Sequence, residues 1–212
     1  MRRVAVAGLA MLMMSQAAQA HPHVWVTAKA ELVFDGSGRI AAVRHAWTFD
    51  EAFSTFAVQG VGKRKDGTFS REELQPLAET QVASLPKFGF FTSLQAEGAQ
   101  ASFERPKDYW LEFKDGALTL HLLLVLKTPL DARSGGVTFD VDDPTFFIAF
   151  DLAGPAPVAL SKAPQNCRVE PKPIANEVQG LKSALSEYFF GAPAASGNAG
   201  PRFANGAIVS CR

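Results

Sequence analysis

An α+β fold built mainly from antiparallel strands is what this sequence predicts, and three observations predict it. Two alternating apolar segments flank a turn near the amino terminus, a capping box opens a helix further on, and short strand-like runs then alternate with Gly- and Pro-rich turns. About three helices and one disulfide complete the expectation. No internal repeat or second composition regime divides residues 21–212, so one domain is expected there.

The first twenty residues stand apart from that domain. Arg2 and Arg3, the apolar run from Val4 to Met14 and the small-residue ending Ala18-Gln19-Ala20 are the three parts of a secretory signal. Cleavage after Ala20 would release a mature chain that begins at His21, in an oxidising compartment. The apolar run is about half of the ~20 residues a membrane-spanning helix needs, and no later stretch comes close, so no membrane anchor is expected after cleavage. Lys plus Arg number 21 and Asp plus Glu number 21. That balance offers no clustered basic footprint for nucleic acid or an anionic membrane.

From Val24 to Phe34 apolar and polar residues alternate, Asp35-Gly36-Ser37-Gly38 supplies turn chemistry, and Ile40 to Phe49 returns, which together predict a hairpin. A two-residue turn at Gly36 and Ser37 would set Val24 opposite Phe49, Val26 opposite Trp47, Ala28 opposite His45 and Asp50 opposite His23. It would also oppose Lys29 and Arg44, an unfavourable pair unless a carboxylate such as Glu31 intervenes. Glu51 to Val58 reads as a short helix. Ser70-Arg71-Glu72-Glu73 is a capping box, and Leu74, Leu77, Ala78, Val82 and Leu85 follow near one helical face. Pro76 within that stretch predicts a kink or a later start.

Strands are predicted near 100–105, 109–114 and 117–127, then from Val137 to Val141, Thr145 to Asp151 and Cys167 to Val169. Asn176 is positioned to cap a last helix, with Val178, Leu181, Leu185 and Phe189 near one face and Gly191 at its end. The Gly-, Ala- and Pro-rich stretch 191–206 reads as a mobile loop. Cys167 and Cys211 are the only cysteines, and an exported chain with an even count pairs them. Their wide spacing speaks against a redox or metal-binding thiol pair.

The most informative chemistry lies at the new terminus, His21-Pro22-His23. A free α-amine and an imidazole on His21 form a natural chelate, and neutral imidazole nitrogen ligates zinc, copper and nickel. Pro22 has no amide hydrogen to lose, which excludes the square-planar mode that binds through backbone amides. What remains is His21 with His23 and an outside carboxylate, Asp50 with Glu51 next to it, and two histidines plus a carboxylate with an open position suit zinc. The plain alternative is a solvated chain end. His45 lies on the apolar face of its strand and reads as a core residue, while His121 alternates in a strand and is left open as a ligand.

The stretch from Gly62 to Glu73 has the length of a calcium loop, with Gly67 at the sharp-turn position. Gly62 and Arg64 stand where carboxylates belong, Lys63-Arg64-Lys65 would repel the ion, and the capping box accounts for Ser70 and Glu73. Asp140, Asp142 and Asp143 before Pro144 read as turn formers. The sequence has no G-x-S-x-G, no H-E-x-x-H and no phosphate- or dinucleotide-binding glycine loop, so a non-enzymatic protein is expected, with no catalytic residues.

Three segments carry a resemblance: His21-Pro22-His23-Val24-Trp25-Val26, then Trp47-Thr48-Phe49-Asp50-Glu51-Ala52-Phe53-Ser54, then Asp143-Pro144-Thr145-Phe146-Phe147-Ile148. With them the mature chain resembles a bacterial family of periplasmic proteins of unknown function, often labelled as the periplasmic component of an uncharacterised ABC-type transport system. It is also similar to the soluble partners of nickel/cobalt-type permeases, including ones implicated in zinc uptake. The resemblance implies a periplasmic location, metal traffic and an inner-membrane permease as partner. Many relatives carry a more acidic loop where this chain has Lys63-Arg64-Lys65. Two other functions stay open: a metal-free interaction module of a transport system, and a histidine-brace copper protein, which needs a third imidazole near the terminus.

Overall fold

The computed structural model describes residues 23–62, 68–145, 147–154, 156–172 and 205–212. The predicted signal at 1–20, His21, the third helix from Asn176 and nearly all of the loop to 206 lie outside these residues. The described chain is mostly strand, and the strands pair mostly antiparallel.

The hairpin forms as expected, from β1 (Val24–Phe34) and β2 (Ile40–Phe49). Its register differs from the prediction by two residues: Val26 faces Phe49, Ala28 faces Trp47 and Ala30 faces His45. The cause is the loop, which spans five residues rather than two. The Asp35 amide donates to the Arg39 carbonyl, the Asp35 carboxylate accepts from the amides of Ser37 and Arg39, and a bulge at Val33/Phe34 absorbs the remainder. Because side chains alternate with period two, a slip of two keeps every residue on its predicted face. Glu31 therefore meets Arg44 and forms an ion pair with it, and the feared Lys29–Arg44 opposition does not arise.

Asp50 caps α1 (Glu51–Ala57), and Ser70 caps α2 (Arg71–Ser84) through the expected reciprocal bonds with Glu73. The helix starts directly after Ser70 and runs on through Pro76, so the predicted later start is not found. A 3-10 segment, Leu85–Phe91, leads into β3 (Thr92–Ala96), β4 (Ala99–Gln100), β5 (Tyr109–Lys114) and β6 (Ala117–Leu130). The strand predicted near 100–105 reduces to β4 and a single bridge between Phe103 and Leu126. Then come β7 (Val137–Val141), β8 (Ile148–Leu152), β9 (Val158–Ser161), β10 (Cys167–Pro171) and β11 (Gly206–Cys211).

One sheet has the order β5-β6-β2-β1-β8, with β9 also paired to β1. There β1 is antiparallel to β2 but parallel to β8 and β9. The other sheet has the order β10-β11-β7-β3-β4. The two sheets share one apolar core, and they meet where His45 of β2 stacks on Phe139 of β7 at 6.1 Å and bonds Thr92 of β3. Cys167 and Cys211 face each other across β10 and β11 and are joined as predicted. Gly206 has a specific reason to be glycine, since a Cβ there would sit 2.8 Å from the Phe139 carbonyl oxygen.

Candidate functional site

The three segments that carry the resemblance converge at one end of the first sheet. Strand β1 begins at Val24, and the amides of His23 and Val24 both donate to the Phe147 carbonyl. Asp50 closes the other side: Trp25 donates its amide to Asp50 Oδ2 at 2.8 Å, and the Asp50 amide returns a bond to the Trp25 carbonyl. Asp50 Oδ1 accepts from the Phe53 amide as the cap of α1. The carboxylate across from the terminus is thus opposite Trp25 rather than His23, as the two-residue slip requires, and it is already bonded to two backbone amides.

Asp143 plays the same part in the third segment. Its Oδ1 accepts from the amide and hydroxyl of Thr145, and its Oδ2 accepts from the amide of Ile148, the first residue of β8. Burial would raise its carboxyl pKa, but the Thr145 hydroxyl and the amides of Thr145, Ile148 and Phe147 outweigh that and hold it below the ordinary carboxylate value. The acidic turn in the sequence is therefore a loop anchor, and Asp140 is engaged elsewhere, in an ion pair with Lys172 at 2.8 Å.

These anchored segments wall an apolar cavity of about 390 Å³. Trp47 and Phe150 form its floor on the sheet, Phe53 of α1 and Leu85 and Phe91 of the 3-10 segment its sides, and Phe88 and Phe147 its rim. The rim rings are exposed, at 48% for Phe88 and 53% for Phe147, whereas Trp47 is buried. Sequence reading placed Trp47, Phe147 and Phe150 in strands and Phe53 in a helix but saw no pocket, because the lining residues come from distant parts of the chain. Of these residues, Trp47, Phe53 and Phe147 lie in the motif segments.

His23 is exposed and packs against the rim, its ring tilted 39° to that of Phe147 with centroids 5.0 Å apart. Glu51, the first residue of α1, is exposed as well. His45 is the reverse case. It is fully buried between Trp47 and Phe139, its Nε2 bonds the Thr92 hydroxyl at 3.1 Å, and desolvation pushes its pKa down to about 3. Since the Thr92 hydroxyl itself donates to the Phe90 carbonyl, the proton sits on Nε2 and the ring is neutral. His121 stacks on Trp110 at 4.6 Å, with the Arg71 guanidinium also over that indole and Glu112 Oε2 3.5 Å from His121 Nε2.

Among the described residues no three His, Cys, Asp or Glu side chains are grouped so as to hold a metal ion. Of the four predicted ligands, His23, Asp50 and Glu51 lie at this one end of the sheet, and His21 lies outside the described residues.

A protein of Haemophilus influenzae described as uncharacterized is 21% identical over 173 residues, covering 79% of this chain and 81% of the relative. A family described as proteins of unknown function, DUF1007, matches residues 6–211, which take in all three convergent segments, and this chain belongs to that family.

Proposed function

We propose that the protein is a non-enzymatic periplasmic accessory that binds a divalent transition metal, zinc or nickel/cobalt, at its mature terminus and passes it to an inner-membrane permease. The observation that carries this reading is the position of His23: it is exposed just before β1, at the end of the sheet where the motif segments meet, two residues before Trp25, whose amide bonds Asp50. The amine and imidazole of His21 would form the chelate, His23 would add a second imidazole, and Asp50 or Glu51 would supply the carboxylate. Asp50 can join without losing its cap, because each carboxylate oxygen has a second lone pair beyond the one given to a backbone amide.

Zinc titration calorimetry tests this on a chain that starts at His21 and on the same chain with one extra residue in front. The free amine belongs to the site, so the extended chain should bind more weakly although its side chains are identical. His23→Ala should weaken binding too, and affinity should fall as pH is lowered, because an imidazole must shed its proton before it ligates. Equal affinity with and without the extension, or none in either, overturns the reading. Absent binding in both would favour the metal-free interaction module. The copper-brace alternative requires a third imidazole, and the next one along the chain, His45, is buried in the core.

A further inference from the structure

The aromatic cavity has the size and lining of a small-molecule site, and its few polar groups define what would fit. Its volume of about 390 Å³ falls within the roughly 300–1,000 Å³ that ligand pockets occupy. Seven of the described residues around it are aromatic, which favours a flat ring over a flexible chain, since rings pack well against rings. Phe88 and Phe91 already lie almost parallel, with centroids 5.2 Å apart, and present such a wall. None of the described lining residues is Lys, Arg or His, so nothing there offsets the charge of an anion. Asp143 is the one carboxylate in the lining, and the Thr145 hydroxyl and the amides of Thr145, Phe147 and Ile148 occupy its acceptor sites. It repels an anion and has no acceptor site left for an ammonium group.

Two polar atoms of lining residues have no protein partner. Trp47 Nε1 and Gln81 Oε1 are buried and make no hydrogen bond, whereas the Ser84 and Thr145 hydroxyls in the same lining are bonded within the protein. Orphaned buried polar atoms are uncommon because each costs stability. Among the described residues four side-chain atoms are in that condition, and two of them belong to this one cavity. An indole N–H can only donate and an amide oxygen can only accept, so a hydroxyl, which does both, complements either. We propose that the cavity binds a neutral aromatic molecule bearing a hydroxyl, of the phenol or naphthol class, with its ring among the aromatic side chains and its hydroxyl paired to these orphaned atoms. His23, Asp50 and Glu51 are not among the described lining residues, so the inference stands apart from metal binding.

Titration calorimetry of the full chain from His21 tests it with 2-naphthol, 2-naphthoate and 2-naphthyltrimethylammonium, which share a ring system and differ in charge. 2-Naphthol should bind saturably, and both charged analogues should bind at least ~10-fold more weakly, because neither charge finds a partner in the lining. Gln81→Leu, at a half-buried helix position, should weaken 2-naphthol by roughly 3–10-fold, the worth of one hydrogen bond. Phe147→Ser, at the exposed rim, should weaken it as well. In nitrogen–proton spectra of the parent chain, the Trp47 indole resonance should move on saturation while those of Trp25 and Trp110 stay in place, a readout that needs no variant. Absent saturable binding of 2-naphthol overturns the proposal, as does equal or tighter binding of either charged analogue. Affinity that neither variant reduces, with the Trp47 resonance unmoved, also overturns it, because the ring would then be held on some other apolar surface.

Discussion

Two regions of this molecule are held in opposite ways. At the amino-terminal end of the first sheet, Asp50 and Asp143 fix three chain segments with side-chain bonds to backbone amides, and no covalent link is involved. At the edge of the second sheet, a disulfide joins β10 to β11 and an ion pair ties Lys172 to Asp140. The contrast predicts that reductant should loosen the second region and leave the first intact, since no covalent link holds the first.

The largest effect should come from the covalent side. Replacing Cys167 and Cys211 with Ala frees a loop of sequence separation 44, and the chain-entropy model puts the loss near 4 kcal/mol, measurable by urea unfolding. If the loss is under ~1 kcal/mol, the edge is held by its strands and the contrast breaks. Next, Asp143→Ala removes a carboxylate that satisfies the backbone at Thr145 and Ile148, and should cost about 2–3 kcal/mol. It should speed exchange at β8 while leaving β10 and β11 protected.

Acid should act on the junction between the two sheets as well as on the Asp143 anchor. His45 has a folded pKa of about 3 against an unfolded value near 6.5, so the unfolded state binds the extra proton between those values. The stability due to neutral His45 is complete above ~6.5 and is lost as pH falls towards 3, by up to ~1.4 kcal/mol per unit. The lowered carboxyl of Asp143 acts in the same direction at lower pH: its contribution is present above the ordinary value of 3.8 and disappears as pH falls through the folded one. Thermal melts from pH 7 to 4 should fall steadily, and a folded His45→Phe variant should flatten the upper part of that slope. Asp50→Ala should cost ~1–2 kcal/mol as a lost helix cap and should fray the first residues of β1. Glu31→Gln, at an exposed cross-strand pair with Arg44, should cost about 0.5 kcal/mol or less.

Which faces are buried was legible in the sequence, because alternation in β1 and β2 depends only on period two. Which residues oppose one another was not, since that depends on a five-residue loop whose bonds to the Asp35 carboxylate no pattern announces. The capping box and the disulfide were readable because each rests on named atoms at fixed spacing or on a count of two. The parallel neighbours of β1 were missed. Pairing across more than a hundred residues leaves no local mark, and β9 is only four residues long. For the site, His23, Asp50 and Glu51 were nominated individually. The aromatic cavity beside them was not, because Trp47, Phe91 and Phe147 become neighbours only after both sheets have formed.

The strand that comes first in the described chain also sits inside its sheet, and this constrains the order of folding. Val24 pairs with Ile148 and Ala30 with Val158, so β1 can complete one side as a hairpin early but has to wait for most of the chain before its other side is covered. Closing so long a loop is entropically costly and makes such pairings slow. Until β8 and β9 arrive, the hairpin stands with its parallel edge unpaired. An unpaired edge of that kind is open to pairing with another chain.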